Sequence, residues 1–140
     1  MSYEELSRFL DAQNQVYLRA LAEIKAGKKE THWMWFVFPQ IKGLGSSENA
    51  NFYAIKNIRE ATAYLNHPVL GKNLIEISKV VLDIEGKTAT DIFGTPDDMK
   101  LRSCMTLFAH VENADPVFKA VLKKYFEGVP DSHTMGLLKI

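Results

Sequence analysis

One cysteine, Cys104, is the whole complement, which excludes an internal disulfide and any zinc site built on several thiolates. The chain has no net charge, with 17 basic side chains against 17 acidic ones, so it lacks the basic excess that nucleic acid or an acidic membrane surface requires. No apolar run approaches the ~18 residues of a membrane span, and the start Met1-Ser-Tyr-Glu-Glu has neither the basic stretch nor the apolar stretch of a secretory signal. A reducing, cytoplasmic home is the expectation, with neither nucleic acid nor membrane as a partner. Glycine and proline are sparse, at 8 and 5 residues, and scattered as punctuation, which excludes low-complexity tracts, and no internal repeat is visible. What is present is ordinary globular material: 46% hydrophobic and 24% charged over 140 residues. Surface scaling for this length buries about 68% of the unfolded chain's surface, enough for one core and too little for two. A single domain over residues 1–140 follows.

The apolar spacing is helical nearly throughout. Ser2 with Glu5 forms a capping box ahead of Leu6, Phe9 and Leu10. The phase is lost around Asp11 to Gln15 and resumes with Tyr17, Leu21 and Ile24 up to Gly27. Leu70, Leu74, Ile77, Val81 and Ile84 alternate four and three apart, marking a core helix. Asn57, Thr88, Thr95-Pro96, Asp115-Pro116 and Asp131 or Ser132 read as helix starts, with Thr95 the hydroxyl cap and Pro96 the first helical residue of its segment. The run Trp33 to Phe38 is too short for its length to separate a buried strand from a buried helix. No segment alternates convincingly. The expected fold is all-α or mainly α, a compact bundle of about seven helices with short loops.

Candidate chemistry is confined to a few places. His32, His67, His110 and His133 have no i, i+4 partner, so no metal site is expected, and no motif implies a resident cofactor. Cys104 falls on an apolar stripe and reads as packing. His32 to Gln40 holds both tryptophans, Trp33 and Trp35, between polar ends. Such rings fill a core or stack on a planar ligand, and the sequence leaves both open. Gly43, Gly45, Ser46 and Ser47 form either an ordinary turn or a cradle for phosphate. Asp97 and Asp98 are explained by a helix dipole, whereas Asp91 is not, which makes Asp91 and His32 the candidates for proton transfer.

These same segments carry a resemblance. Leu6-Ser-Arg-Phe9 with Ala12-Gln13, His32-Trp-Met-Trp-Phe-Val-Phe-Pro-Gln40, Gly43-Leu-Gly45, Tyr64 to Gly71, Asp91-Ile-Phe-Gly94 and Ser103 to Phe108 together resemble the bacterial family known as domain of unknown function 1810. The resemblance implies a compact, mainly α-helical domain and no established activity. The label calpastatin, sometimes attached to such proteins, does not fit, because calpastatins are polar, disordered chains and this one has the apolar content of a packed globule. A looser similarity to NADAR proteins, which act on ADP-ribose derivatives, implies a ligand class. Two readings follow. In one, a small nucleotide-like ligand is stacked by Trp33 and Trp35, held by Gln40 and by the backbone and hydroxyls of Gly43 to Ser47, and served by His32 and Asp91. In the other, the aromatic segment is the contact of a non-catalytic interaction module or homodimer. Oligomeric state is not encoded in any feature of the sequence.

Overall fold

In the computed structural model, which describes residues 6–140, the described chain is built mainly of helices joined by short loops. The helices are α1 (Ser7–Gln13), α2 (Tyr17–Lys25), α3 (Met34–Val37), α4 (Glu48–Phe52), α5 (Ile58–Asn66), α6 (Leu70–Asp83), α7 (Ala89–Phe93), α8 (Asp97–Ala109), α9 (Val117–Phe126) and α10 (Ser132–Leu138). Among the described residues β pairing is limited to one isolated parallel bridge, Ile41 with Ile55. The capping box expected at Ser2 and Glu5 lies outside the described residues. Ten helices are described rather than about seven, because α3 and α4 run only four or five residues, too few to display a 3.6-residue stripe, and the five-residue α7 shows itself in the sequence only through its cap at Thr88.

Two helices organise the core. On α6, Leu70, Leu74, Ile77 and Val81 form the buried face predicted from their spacing, and it packs against α2, α5 and α9. Helix α8 is buried almost all round: Leu101, Cys104, Met105, Leu107 and Phe108 are fully enclosed among α5, α7, α9 and α10. A helix surrounded in this way must satisfy its polar residues, and Thr106 does so by donating to the carbonyl of Arg102 one turn back, while the single Ser103 hydroxyl proton is shared between the Met99 carbonyl and the Asp131 carboxylate. Burial pushes the Cys104 thiol well above its ordinary pKa, consistent with a packing role.

Polar pins join the helices. At the break between α1 and α2 the buried Gln13 amide donates to Phe36 O at 2.7 Å and to the Tyr64 hydroxyl at 3.0 Å, while its oxygen accepts from Asn73. Between α5 and α6 the backbones approach so closely that a Cβ at Gly71 would lie 1.8 Å from Leu65 O. Only glycine fits there. The His67 ring nitrogen Nδ1 meets the amides of Val69 and Leu70, ending α5 and opening α6.

Most expected caps are found. Asn57 accepts from Glu60 N and Asp131 from Thr134 N, whereas α9 is flanked by Pro116 with no side-chain cap and Asp115 accepts from Val117 N just ahead of it. Thr88 and Asp91 form a complete capping box on α7. Thr95 is an exception too. Helix α8 begins at Asp97, Pro96 flanks it outside the helix, and no side chain caps it. Its first amides are served from the backbone, with Asp98 N on Gly94 O at 2.8 Å and Lys100 N on Pro96 O at 3.2 Å. The Thr95 hydroxyl reaches only Asp98 Oδ2, at 3.5 Å. Buried Asp98 meanwhile takes the Thr90 hydroxyl at 2.6 Å and so ties α7 to α8.

Candidate functional site

The aromatic segment resolves into one helical turn, and that turn separates its tryptophans. Trp33 precedes α3 with a non-helical backbone, whereas Trp35 lies inside the turn, and the two rings face apart. Trp33 is fully buried, and its Nε1 donates to Glu23 Oε1 at 2.9 Å. The same carboxylate accepts from the amides of Glu30 and Thr31 and from the Thr31 hydroxyl. Burial works against the charge on Glu23, but these donors outweigh it and hold the group down at about 2. Lys29 stands over the Trp33 ring at 5.0 Å from its centroid. Trp35 is only half-buried, and its ring carries the Lys100 ammonium at 5.5 Å.

Around Trp35 lies a cleft of about 390 Å³. One wall is the aromatic turn with the loop that follows: Trp35, Gln40, Leu44, Gly45, Ser46, Ser47 and Ala50. The other is built by α8 and the start of α10, through Pro96, Met99, Lys100, Ser103, Asp131 and His133. The loop is anchored at its start by two backbone bonds to Ile55, Ile55 N to Gln40 O and Lys42 N to Ile55 O, each 2.8 Å. Within it a Cβ on Gly45 would come 2.5 Å from Ala50 Cβ, so glycine lets the loop close down on α4. Ser47 caps α4 by accepting from Ala50 N at 3.1 Å.

Charge of both signs lines the cleft. Lys100 pairs with Asp97 at 3.3 Å, but Asp97 is shared with Lys29 at 2.9 Å, so the trio keeps a net positive charge. Opposite in sign is Asp131, the cap of α10. Its Oδ2 lies within hydrogen-bond reach of the Ser103 hydroxyl at 3.1 Å, Thr134 N at 3.0 Å and the Thr134 hydroxyl.

Of the nine residues singled out in the sequence, the fold brings Trp35, Gln40, Gly45, Ser46 and Ser47 together. Trp33 stands in the core instead. Gly43 packs toward Leu137 rather than lining the cleft, as do neither His32 nor Asp91, both exposed. Asp91 has the explanation it lacked in the sequence, because it is the acidic half of the α7 capping box and the Thr88 amide lowers its pKa. Sequence reasoning missed Ser103, Asp131 and His133 as cleft residues. Lys100 and Ser103 are three apart on α8 and therefore share a face, which was visible. Nothing local links residue 131 to residues 40–47.

Comparison with solved structures gives a conserved hypothetical protein, Rv1873, from Mycobacterium tuberculosis, similar at 48% identity and a TM-score of 0.95 over 97% of each chain. No curated protein matches. The family model for protein of unknown function DUF1810 matches residues 3–138, and the chain belongs to that family.

Proposed function

We propose that the Trp35 cleft binds a small nucleotide-like molecule, one planar ring with an anionic group. The observation that carries this reading is the meeting, in one concave volume, of a partly exposed indole, a lysine and several hydroxyl and amide groups contributed by separate elements. Pockets for small ligands start at about 300 Å³ and combine apolar walls with a few polar groups, and 390 Å³ suits a mononucleotide or the corresponding half of ADP-ribose. In this reading the ring lies on Trp35 and Leu44, the anion meets Lys100, and Gln40, Ser46 and Ser47 supply hydrogen bonds. Trp33, Gly43, His32 and Asp91 have no part in it.

Thermal melts test it against NAD, ADP-ribose, nucleotides and nucleosides. A ligand at a hundred times its dissociation constant stabilises the fold by about 2.7 kcal/mol, a rise on the order of 8 to 12 °C for a domain of this size. Trp35→Ala and Lys100→Ala should each abolish the shift. No shift with any of these at millimolar concentration would overturn the reading and favour an interaction module.

A further inference from the structure

Asp131 divides its carboxylate between two tasks. Oδ2 is committed to the fold, because the Thr134 amide, the Thr134 hydroxyl and the Ser103 hydroxyl all converge on it. The backbone amide of Asp131 is itself fixed by donating to the Thr106 hydroxyl at 2.9 Å. The group is therefore held at both ends. Oδ1 accepts from none of the described residues, although Asp131 is part of the cleft wall. A carboxylate oxygen that is held rigidly beside a cavity and spared by the protein can accept a hydrogen bond from whatever fills that cavity.

What it can accept is narrowed by its being one oxygen. The Watson–Crick edge of guanine offers two parallel N–H donors, which need both oxygens of a carboxylate side by side, and Oδ2 is already taken. A sugar hydroxyl needs one acceptor only, as does the exocyclic amine of adenine or cytosine, and the deoxy series tells the two apart because it removes the hydroxyl and keeps the amine. The Lys100 ammonium, on the same α8 face as Ser103, sets the place of the anionic group, so a ligand reaching both would present phosphate to one and hydroxyl to the other. Resting on the nucleotide reading above, we infer that Asp131 Oδ1 accepts a ribose hydroxyl and selects ribonucleotides over their deoxy counterparts.

Titration calorimetry with the four ribonucleoside diphosphates, and with their 2′-deoxy and 3′-deoxy counterparts, tests this on the wild-type protein. Loss of a hydrogen bond to a charged acceptor should weaken one deoxy series by roughly tenfold to a hundredfold. Asp131→Asn keeps an oxygen for the Thr134 amide, since asparagine caps helices as well as aspartate does, and turns the spared position into a donor. It should shrink the ribo-to-deoxy affinity ratio to a few-fold, because a neutral amide–hydroxyl bond is worth less than one to a carboxylate, while removal of the negative charge raises the affinity of both series for the anionic ligand alike. Equal affinity of ribo and both deoxy forms for the wild type would overturn the role of Asp131 and leave the cleft reading intact. Failure of every diphosphate to bind at millimolar concentration would overturn both.

Discussion

Trp33 and Trp35 are two residues apart and belong to different kinds of chemistry. At Trp33 the indole N–H is taken up by the fold: the Glu23 carboxylate gathers four donors, and the indole N–H is one of them. Around Trp35 polar groups outnumber the partners the fold supplies. Lys100 shares its carboxylate with Lys29, and one oxygen of Asp131 is spared. A polar network that satisfies itself fixes a structure, whereas one with spare capacity beside a cavity can act on something else. The two tryptophans mark that boundary across the start of a single helical turn.

The comparison breaks most visibly in stability. Trp33→Ala should cost about 3 to 5 kcal/mol, the ordinary loss for a fully buried indole, and Leu74→Ala or Ile77→Ala on α6 about 2 to 5 kcal/mol. Trp35→Ala should cost distinctly less in the same denaturant melts. Equal losses at the two tryptophans would mean that the cleft is part of the core.

Glu23→Gln tests the closed network through its charge and should cost about 1 to 3 kcal/mol at neutral pH. The sign of the pH dependence follows from a carboxylate depressed in the folded state. Its contribution is full above the ordinary value of 4.5 and is lost as pH falls toward about 2. Wild-type stability should therefore fall more steeply with acidification across that window than stability of the Gln variant, as measured by urea melts at stepped pH.

Smaller effects separate the two threonines. Thr88→Ala removes a capping hydroxyl and should cost about 1 kcal/mol, while Thr95→Ala, which removes no cap, should stay within about 0.5 kcal/mol. A loss at Thr95 equal to that at Thr88 would show that the sequence signal had been the better guide.

That last pair shows how far the sequence could be read. The core face of α6, the break after Gln13 and the caps at Asn57, Thr88 and Asp131 follow from local spacing and local hydrogen bonding, which a sequence displays directly. Thr95-Pro96-Asp97-Asp98 displays the same local signal, yet tertiary structure overrides it, because Asp98 is drawn inward to bind the Thr90 hydroxyl and backbone carbonyls serve the first amides. Half the cleft was legible, since Trp35 to Ser47 is one continuous stretch. The other half comes from α8 and α10, joined to it only by the packing of distant elements. Which of two tryptophans faces the cleft depended on α3 being a helix, the one point that length and apolarity left undecided.

The two tryptophans also supply the sharpest test of the claim that the Trp35 cleft is a nucleotide site. Trp33→Phe leaves Trp35 as the sole tryptophan, and Trp35→Phe leaves Trp33. Titrating the first with ADP-ribose and the nucleoside diphosphates should quench its emission saturably, because the ring of the ligand lies on the remaining indole. The emission of the second should stay constant, since Trp33 is enclosed. A flat signal from Trp35 with all of these ligands at millimolar concentration, or saturable quenching that appears only when Trp33 is the tryptophan left, would contradict the account.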